Sequence, residues 1–292
     1  MAERRAVAGY ELPRTRPELE RALDRLVLEN RFTIAVVFPA VGAVMLLASA
    51  EFALGPLDFN PYLVLLGTLV MRLPLVAGVA PLTDRRAAVA LGLLTIYAYG
   101  IELLGVTTGW PYGSFEYGVE LGPMLFGAVP LGLPVFFFPL VLNSYLLVSL
   151  LLGDRAANTP LRLAATIGTV LAMDLVLDPG AVALGFWEYD LAGVAYTYYD
   201  VPWTNYAGWV LSATVAVLAF DLGFDRAGLR RRLDETPFML DDLVSFVILW
   251  GVVNAYFGQW IPVLLAAALG AGLLYTDRFD FDVRGAVRPL GR

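Results

Sequence analysis

The sequence contains no cysteine, no histidine and no lysine. Without cysteine there are no disulfides, thiol nucleophiles or cysteine-ligated zinc. Without histidine there is no haem ligation by an imidazole and no imidazole general base. Without lysine there is no amine to hold retinal, or any other aldehyde, as a Schiff base. Chemistry therefore rests on Asp, Glu, Tyr, Asn, Arg or the backbone. Glycine-rich phosphate loops of the P-loop or dinucleotide type are also missing, as are internal repeats, low-complexity stretches and a segment with the composition of a soluble domain. Charge is scarce, at 16% of the 292 residues, and 59% are hydrophobic. An ordinary soluble domain has about 25% charged and about 45–50% apolar residues, so this balance puts most of the chain in lipid. All 20 basic residues are arginine, and 27 acidic residues outnumber them. An acidic, lysine-free surface fits a high-salt cytoplasm, where ions screen its self-repulsion; a GC-rich genome would also favour Arg over Lys. The same acidity argues against a nucleic-acid partner, because phosphate neutralisation needs clustered Lys or Arg.

What the sequence does have is long hydrophobic runs. A bilayer core of about 30 Å needs roughly 20 apolar residues per helix. Runs near 32–50, 60–80, 86–105, 122–152, 161–178, 205–223, 239–256 and 259–275 meet or approach that length. The fold class expected is all-α, a polytopic membrane bundle of about eight helices. The fourth run is longer than needed and holds Pro130, Pro134 and Pro139, so a kink or a re-entrant start is expected there. Ala48-Ser49-Ala50 resembles a signal-peptidase site, but the charged region before it is too long for a signal peptide, and the first span is retained.

Arginine positions test this count independently. Seven lie in residues 1–31, and the even-numbered connections carry Arg85 and Arg86, then Arg155 and Arg162, then Arg226, Arg230, Arg231 and Arg232. The tail carries Arg278, Arg284, Arg288 and Arg292, whereas the connections at 51–59, 106–121, 179–204 and 257–258 carry none. By the positive-inside rule both termini are cytoplasmic and the number of spans is even. The layout expected is a cytoplasmic segment at 1–30, a transmembrane domain at 31–276 and a cytoplasmic tail at 277–292, in the cell membrane. Residues 1–31 alternate charges; from Pro17 they could form an amphipathic surface helix, although a solvated lead-in is the simpler expectation. Arg72 alone falls within a span, where pairing with a carboxylate or reaching an interface are both open.

The arginine-free side has the unusual composition. Residues 105–123 read GVTTGWPYGSFEYGVELGP and residues 178–209 read DPGAVALGFWEYDLAGVAYTYYDVPWTNYAGW. An aromatic belt at headgroup level explains Trp110, Tyr112, Trp203 and Tyr206, but does not call for Glu102, Glu116, Asp174, Asp178 or Asn205 nearby. Asp174 and Asp178 are four apart, so a helix puts them on one face with Cβ atoms roughly 5–6 Å apart. Pro179-Gly180 is expected to end that helix, leaving both in its outer half. Two adjacent carboxylates in lipid cannot both carry charge cheaply, so the pair is expected to hold a proton and act as a general acid. A role in helix packing is the alternative. Asn143 and Asn254 fit interhelical hydrogen bonds as well as substrate contacts, and Asp241-Asp242 fits a helix N-terminus.

The segments TTGWPYGSFEYGVELGP, PLVLNSYLL, DLVLDPGAVALGFWEY, NYAGWVLSA and FMLDDLVSFVILWGVVNAYFGQW resemble those of the carotenoid biosynthesis membrane protein family, from about residue 30 to residue 282. The resemblance to the family's haloarchaeal hydratases implies addition of water across the terminal isoprenoid double bonds of an acyclic C50 carotenoid, bisanhydrobacterioruberin, to give bacterioruberin. It implies no cofactor and no metal, and as partners the lipid bilayer and other carotenoid-biosynthesis membrane enzymes. The resemblance assigns no residues. From chemistry alone, the expected catalytic set is Asp174, Asp178, Glu102 and Asn205. The expected substrate-binding set is Trp110, Tyr112, Glu116, Asn143, Phe186, Trp187 and Asn254. Aromatic faces among these would steady a tertiary cation. Other readings are a membrane prenyltransferase, because Asp174-x-x-x-Asp178 resembles a magnesium-diphosphate motif, a proton-coupled transporter, and a carotenoid-binding protein without activity.

Overall fold

The computed structural model describes residues 13–52 and 54–281. The outer parts of the expected terminal segments at 1–30 and 277–292, namely residues 1–12 and residues 282–292 with Arg284, Arg288 and Arg292, lie outside the described residues. The described chain is nearly all helical, in the order α1 (Arg16–Phe32), α2 (Phe38–Glu51), α3 (Pro61–Val79), α4 (Arg85–Thr108), α5 (Leu133–Leu152), α6 (Thr159–Ala183), α7 (Trp203–Gly223), α8 (Arg226–Glu235), α9 (Asp241–Tyr256) and α10 (Trp260–Tyr275). Helix starts follow local signals. Asn60 accepts from the amides of Tyr62 and Leu63 ahead of α3, Asp84 accepts from Ala87 N at 2.8 Å ahead of α4, and Asn158 accepts from Leu161 N at 3.0 Å ahead of α6.

Among the described residues, six helical stretches are long and apolar enough to cross a membrane: Arg16–Glu51, Pro61–Leu82, Arg85–Thr108, Leu133–Ala157, Thr159–Ala183 and Trp203–Gly223. Helices α9 and α10 have 16 residues each. At 1.5 Å per residue they are about 24 Å long, short of the bilayer core. Helix α6 is central, packing on α5, α7, α9 and α10, while α4 packs on α7 and α2 on α9.

Four expectations need correction. The charged lead-in is helical from Arg16, under a capping box of Thr15 and Glu18, and continues through a π-helical turn at Thr33–Val37 into α2. It is anchored along its length: Arg16 donates to the carbonyls of Ala80 and Thr83, and Asp24 pairs with Arg232 at 2.7 Å. The long fourth run is not helical from its start. Residues Met124–Leu125 (β2) and Val129–Pro130 (β3) form a small antiparallel hairpin, and α5 begins only at Leu133. Proline explains the boundary: Pro134 sits in the first turn of α5, where its missing N–H costs nothing, and Pro139 is carried within the helix.

Helix α6 does not stop at Pro179-Gly180 but runs on to Ala183. Neighbours brace the backbone on either side of the proline: the Asn254 amide donates to Val176 O at 2.8 Å and the Gln259 amide to Pro179 O at 3.2 Å. Finally, Asp241 and Asp242 do open α9, yet they are more than dipole partners. Both are fully buried, Asp241 paired with Arg31 at 2.8 Å and Asp242 with Arg72. Buried carboxylates demand a paired cation, and this settles the role of Arg72. Arg162 and Asp221 form a further pair at 2.8 Å.

Candidate active site

The two arginine-free connections meet above the bundle. Residues Phe115–Tyr117 (β1) pair antiparallel with Trp187–Tyr189 (β4), in the register Phe115 with Tyr189, Glu116 with Glu188 and Tyr117 with Trp187. Side chains alternate across a strand, so the four aromatics face inward and the two glutamates outward. The ladder thereby closes the end of the bundle with a wall of rings. Beyond it, Thr197–Tyr198 (β5) and Val201–Pro202 (β6) form a second hairpin that leads into α7.

Beneath this wall lies a cavity of about 160 Å³. Its polar lining is Glu102 at the outer part of α4, Asp178 near the end of α6, Asn205 in the first turn of α7, and the phenols of Tyr112, Tyr117 and Tyr189. The rest is apolar, divided between aliphatic side chains and rings, among them Phe137, Phe186, Trp187, Trp209 and Trp250. Trp209 stacks on Phe137, with centroids 5.6 Å apart and planes at 21°.

The hydrogen bonds divide the polar groups into two sets. Asn205 sends its amide to both acids, reaching Asp178 Oδ2 and, at 3.3 Å, Asp174 Oδ2. Asp174 is 0% and Asp178 3% exposed. Asp178 faces the cavity, whereas Asp174 sits one turn deeper, behind it, and its Oδ1 makes no hydrogen bond among the described residues. Neither acid has a cation within salt-bridge distance among the described residues, in contrast to Asp221, Asp241 and Asp242. The second set is Tyr117 and Glu102, the phenol donating to Glu102 Oε1 at 2.5 Å. Burial, followed by the Glu102 charge, pushes the Tyr117 phenol above its ordinary value; burial and the two aspartates do the same to Tyr189. Both therefore remain hydrogen-bond donors through the neutral range. Tyr112 shares Ser212 Oγ at 2.6 Å with Tyr97, at 3.1 Å. Its ring lies so close to α7 that a methyl group at Gly208 would come within 2.6 Å of it, so only glycine fits there.

Of the residues expected from sequence, Glu102, Asp178, Asn205, Tyr112, Phe186 and Trp187 line this one cavity, with Asp174 joined to them through Asn205. Four others do not. Trp110 is 56% exposed and Glu116 points outward on β1. Asn254 spends its amide on the carbonyls of Val176 and Trp250, and Asn143 donates to Asp242 Oδ2 at 2.7 Å in a deeper part of the bundle. Sequence reasoning passed over Tyr117, Tyr189, Trp209 and Trp250. A signal for the first two was present: FEY and WEY both alternate aromatic and acid with the period of a strand.

The family model described as carotenoid biosynthesis protein matches residues 59–273. The chain is 68% identical, over 280 residues, to bisanhydrobacterioruberin hydratase of Haloarcula japonica, covering 96% of this chain and 94% of that protein. No solved structure matches the chain.

Proposed function

Because this chain belongs to the carotenoid biosynthesis protein family, we propose that it is a carotenoid hydratase, a hydro-lyase that adds water to the terminal isoprenoid double bonds of bisanhydrobacterioruberin to give bacterioruberin. One observation carries the site assignment: Asp178, buried and without a cation partner among the described residues, faces a largely apolar, ring-rich cavity and shares the Asn205 amide with a second buried acid.

Hydration of a trisubstituted alkene needs an acid, a sheltered cation and a water. Asp178, in its protonated form, hands its proton to the less substituted carbon as the π electrons form the new C–H bond. The tertiary cation left on the neighbouring carbon faces Trp187, Trp209 and the other rings, each worth up to about 2 kcal/mol when desolvated. A water lone pair closes the C–O bond, and the proton that water sheds returns to the carboxylate pair, so that one H₂O is added and the acid is restored. Asn205 holds the two carboxyl groups together, and Asp174 is the inner member through which the pair shares its proton. Glu102, with the Tyr117 donor upon it, orients the water. No step needs a redox partner or a nucleotide.

The substrate is a long polyene, and its end alone fits a cavity of this size. The chain of the substrate lies in lipid and its reacting end enters under the β1–β4 wall, at an interface where water is at hand. Eight crossings, with α9 and α10 as the two short ones, both termini in the cytoplasm and residence in the cell membrane, complete the reading. The arginine-free outer connections support it. The same reading includes a transmembrane catalytic domain at 31–276 between two charged ends, alongside other enzymes of carotenoid synthesis.

The test is to change Asp178 and Asp174 separately to Asn and assay purified protein on bisanhydrobacterioruberin. Asp178→Asn is expected to lower kcat by about 10²–10⁴-fold, the usual contribution of a positioned acid, with substrate binding retained. Asp174→Asn is expected to fall by a smaller factor. Full activity in both variants would refute the assignment.

A further inference from the structure

Net hydration neither consumes nor releases a proton: Asp178 gives one to the alkene, and the captured water gives one back. The two ends of that cycle belong to different polar sets. Asp178 stands with Asp174 and Asn205 on α6 and α7, whereas Glu102 of α4 is held by Tyr117 of β1. No hydrogen bond joins the two sets among the described residues. A group that both accepts and donates would close the cycle, and a phenol is such a group.

Three tyrosines line the cavity. Tyr112 is committed to Ser212 Oγ at 2.6 Å, and Tyr117 to Glu102. The Tyr189 hydroxyl makes no hydrogen bond among the described residues, and its oxygen is not sealed inside protein as the unpartnered oxygens of Tyr198 and Tyr206 are. It is therefore the uncommitted phenol of the cavity. Its position is fixed by the ladder. Tyr189 pairs with Phe115, with ring centroids 5.8 Å apart, and just beyond it Asp190 N donates to Ser114 O at 2.9 Å. Both polar sets are close to it: after burial, the charges that hold the Tyr189 phenol up are those of Asp178 and Asp174, followed by Tyr206 and Glu102. Its ladder neighbour Tyr117 is raised by Glu102 and Tyr112 and not by the aspartates. Tyr189 thus stands between the acid that loses the proton and the carboxylate that orients the water.

We propose that Tyr189 is a catalytic residue of the hydration, the proton carrier between the capturing water and Asp178. The inference rests on the hydratase reading. As the water oxygen closes its bond to the tertiary cation, one of its O–H bonds breaks towards Tyr189 Oη while the Tyr189 proton passes to the Asp178 carboxylate. The alcohol leaves neutral, the phenol ends as it began, and Asp178 is again the protonated acid. A phenol that keeps its proton through the neutral range suits this task, because it donates only once Asp178 has become a carboxylate.

The test is Tyr189→Phe, which removes one oxygen that bonds to no protein group among the described residues and keeps the ring against Phe115. Full-length wild type and variant in lipid nanodiscs are compared on bisanhydrobacterioruberin in H₂O and in D₂O. Trp187, Trp209 and Trp250 line the cavity, so a bound polyene quenches their fluorescence, and binding read this way is expected to be unchanged. Hydration is expected to slow by about 10²-fold, the lower end of what a positioned proton-transfer group contributes. Deuterium isolates the step. Without the carrier the cation still forms at Asp178 but is captured slowly, and it returns to alkene by losing a proton to the Asp178 carboxylate. Alkene recovered from the variant in D₂O is therefore expected to carry several-fold more deuterium than alkene recovered from the wild type at equal conversion. Hydration at the wild-type rate, slow hydration with no added deuterium in the alkene, or loss of carotenoid binding would each overturn the proposal and leave the hydratase reading standing. A wild type that hydrates no carotenoid sinks that reading, and the carrier with it.

Discussion

Asn205 is a single amide asked to serve two acids, and the site's chemistry follows from that sharing. Its two bonds reach one oxygen of each carboxyl group, which leaves the remaining Asp178 oxygen available at the cavity and Asp174 Oδ1 without a bond among the described residues. The Tyr117–Glu102 pair is a separate unit and can be tested separately. Tyr117→Phe keeps the ring in the wall but removes the donor, and the expected result is a kcat lower by about tenfold with KM little changed. Steady-state kinetics on the carotenoid substrate measures this, and an unchanged kcat would release Glu102 from the reaction. At this scale the spacing marked out the acid pair, but it did not separate the inward acids from Glu116, or one amide from another. The spacing of Asp174 and Asp178 and their cost in lipid are local facts. By contrast, Asn143, Asn205 and Asn254 all look alike in sequence, and only their neighbours separate a partner for two acids from a partner for Asp242 or for helix carbonyls.

The elements closing the site are the least predictable from hydropathy. The β1–β4 ladder has only three pairs of residues, yet it delivers four aromatic rings to the cavity. A proline at its centre should therefore injure activity far more than stability. In Glu188→Pro the lost side chain is an exposed one that faces outward, while the ladder is broken. Catalytic efficiency is expected to fall at least about tenfold, with the unfolding temperature in detergent shifting by only a few degrees; Glu188→Ala is the control, expected to match the wild type. Thermal unfolding followed by circular dichroism, beside the hydration assay, checks both. Helix α6 shows a related point. Proline and glycine at 179–180 argue locally for a helix end, but the helix continues because Asn254 and Gln259 reach across from the α9 end of the molecule to its carbonyls. Local propensity lost to a tertiary bond, and the acids consequently sit within the helix rather than at its terminus.

For the molecule as a whole, sidedness follows from charge. The buried pairs of Arg31 with Asp241 and Arg72 with Asp242, and the α1–α8 contact of Asp24 with Arg232, gather towards the arginine-bearing end, and the aromatic wall is at the other. The absence of native cysteine makes the orientation directly measurable. In otherwise cysteine-free protein, Glu116→Cys is expected to react with a membrane-impermeant thiol reagent applied to intact cells, and Arg231→Cys only after the membrane is opened. The reverse pattern would turn the molecule over and place the reaction at the cytoplasmic face.

What the sequence determined by itself is what short-range physics encodes: apolar runs long enough for lipid, arginine on alternate connections, and two acids one helical turn apart. Which distant residues share a cavity was decided by the tertiary structure alone. Glu102, Asp178 and Asn205 lie on three helices, and their approach depends on how α4, α6 and α7 pack and on two loops pairing as strands above them. No periodicity along one segment specifies the rotation of another, so the site exists only once the helices have chosen their faces.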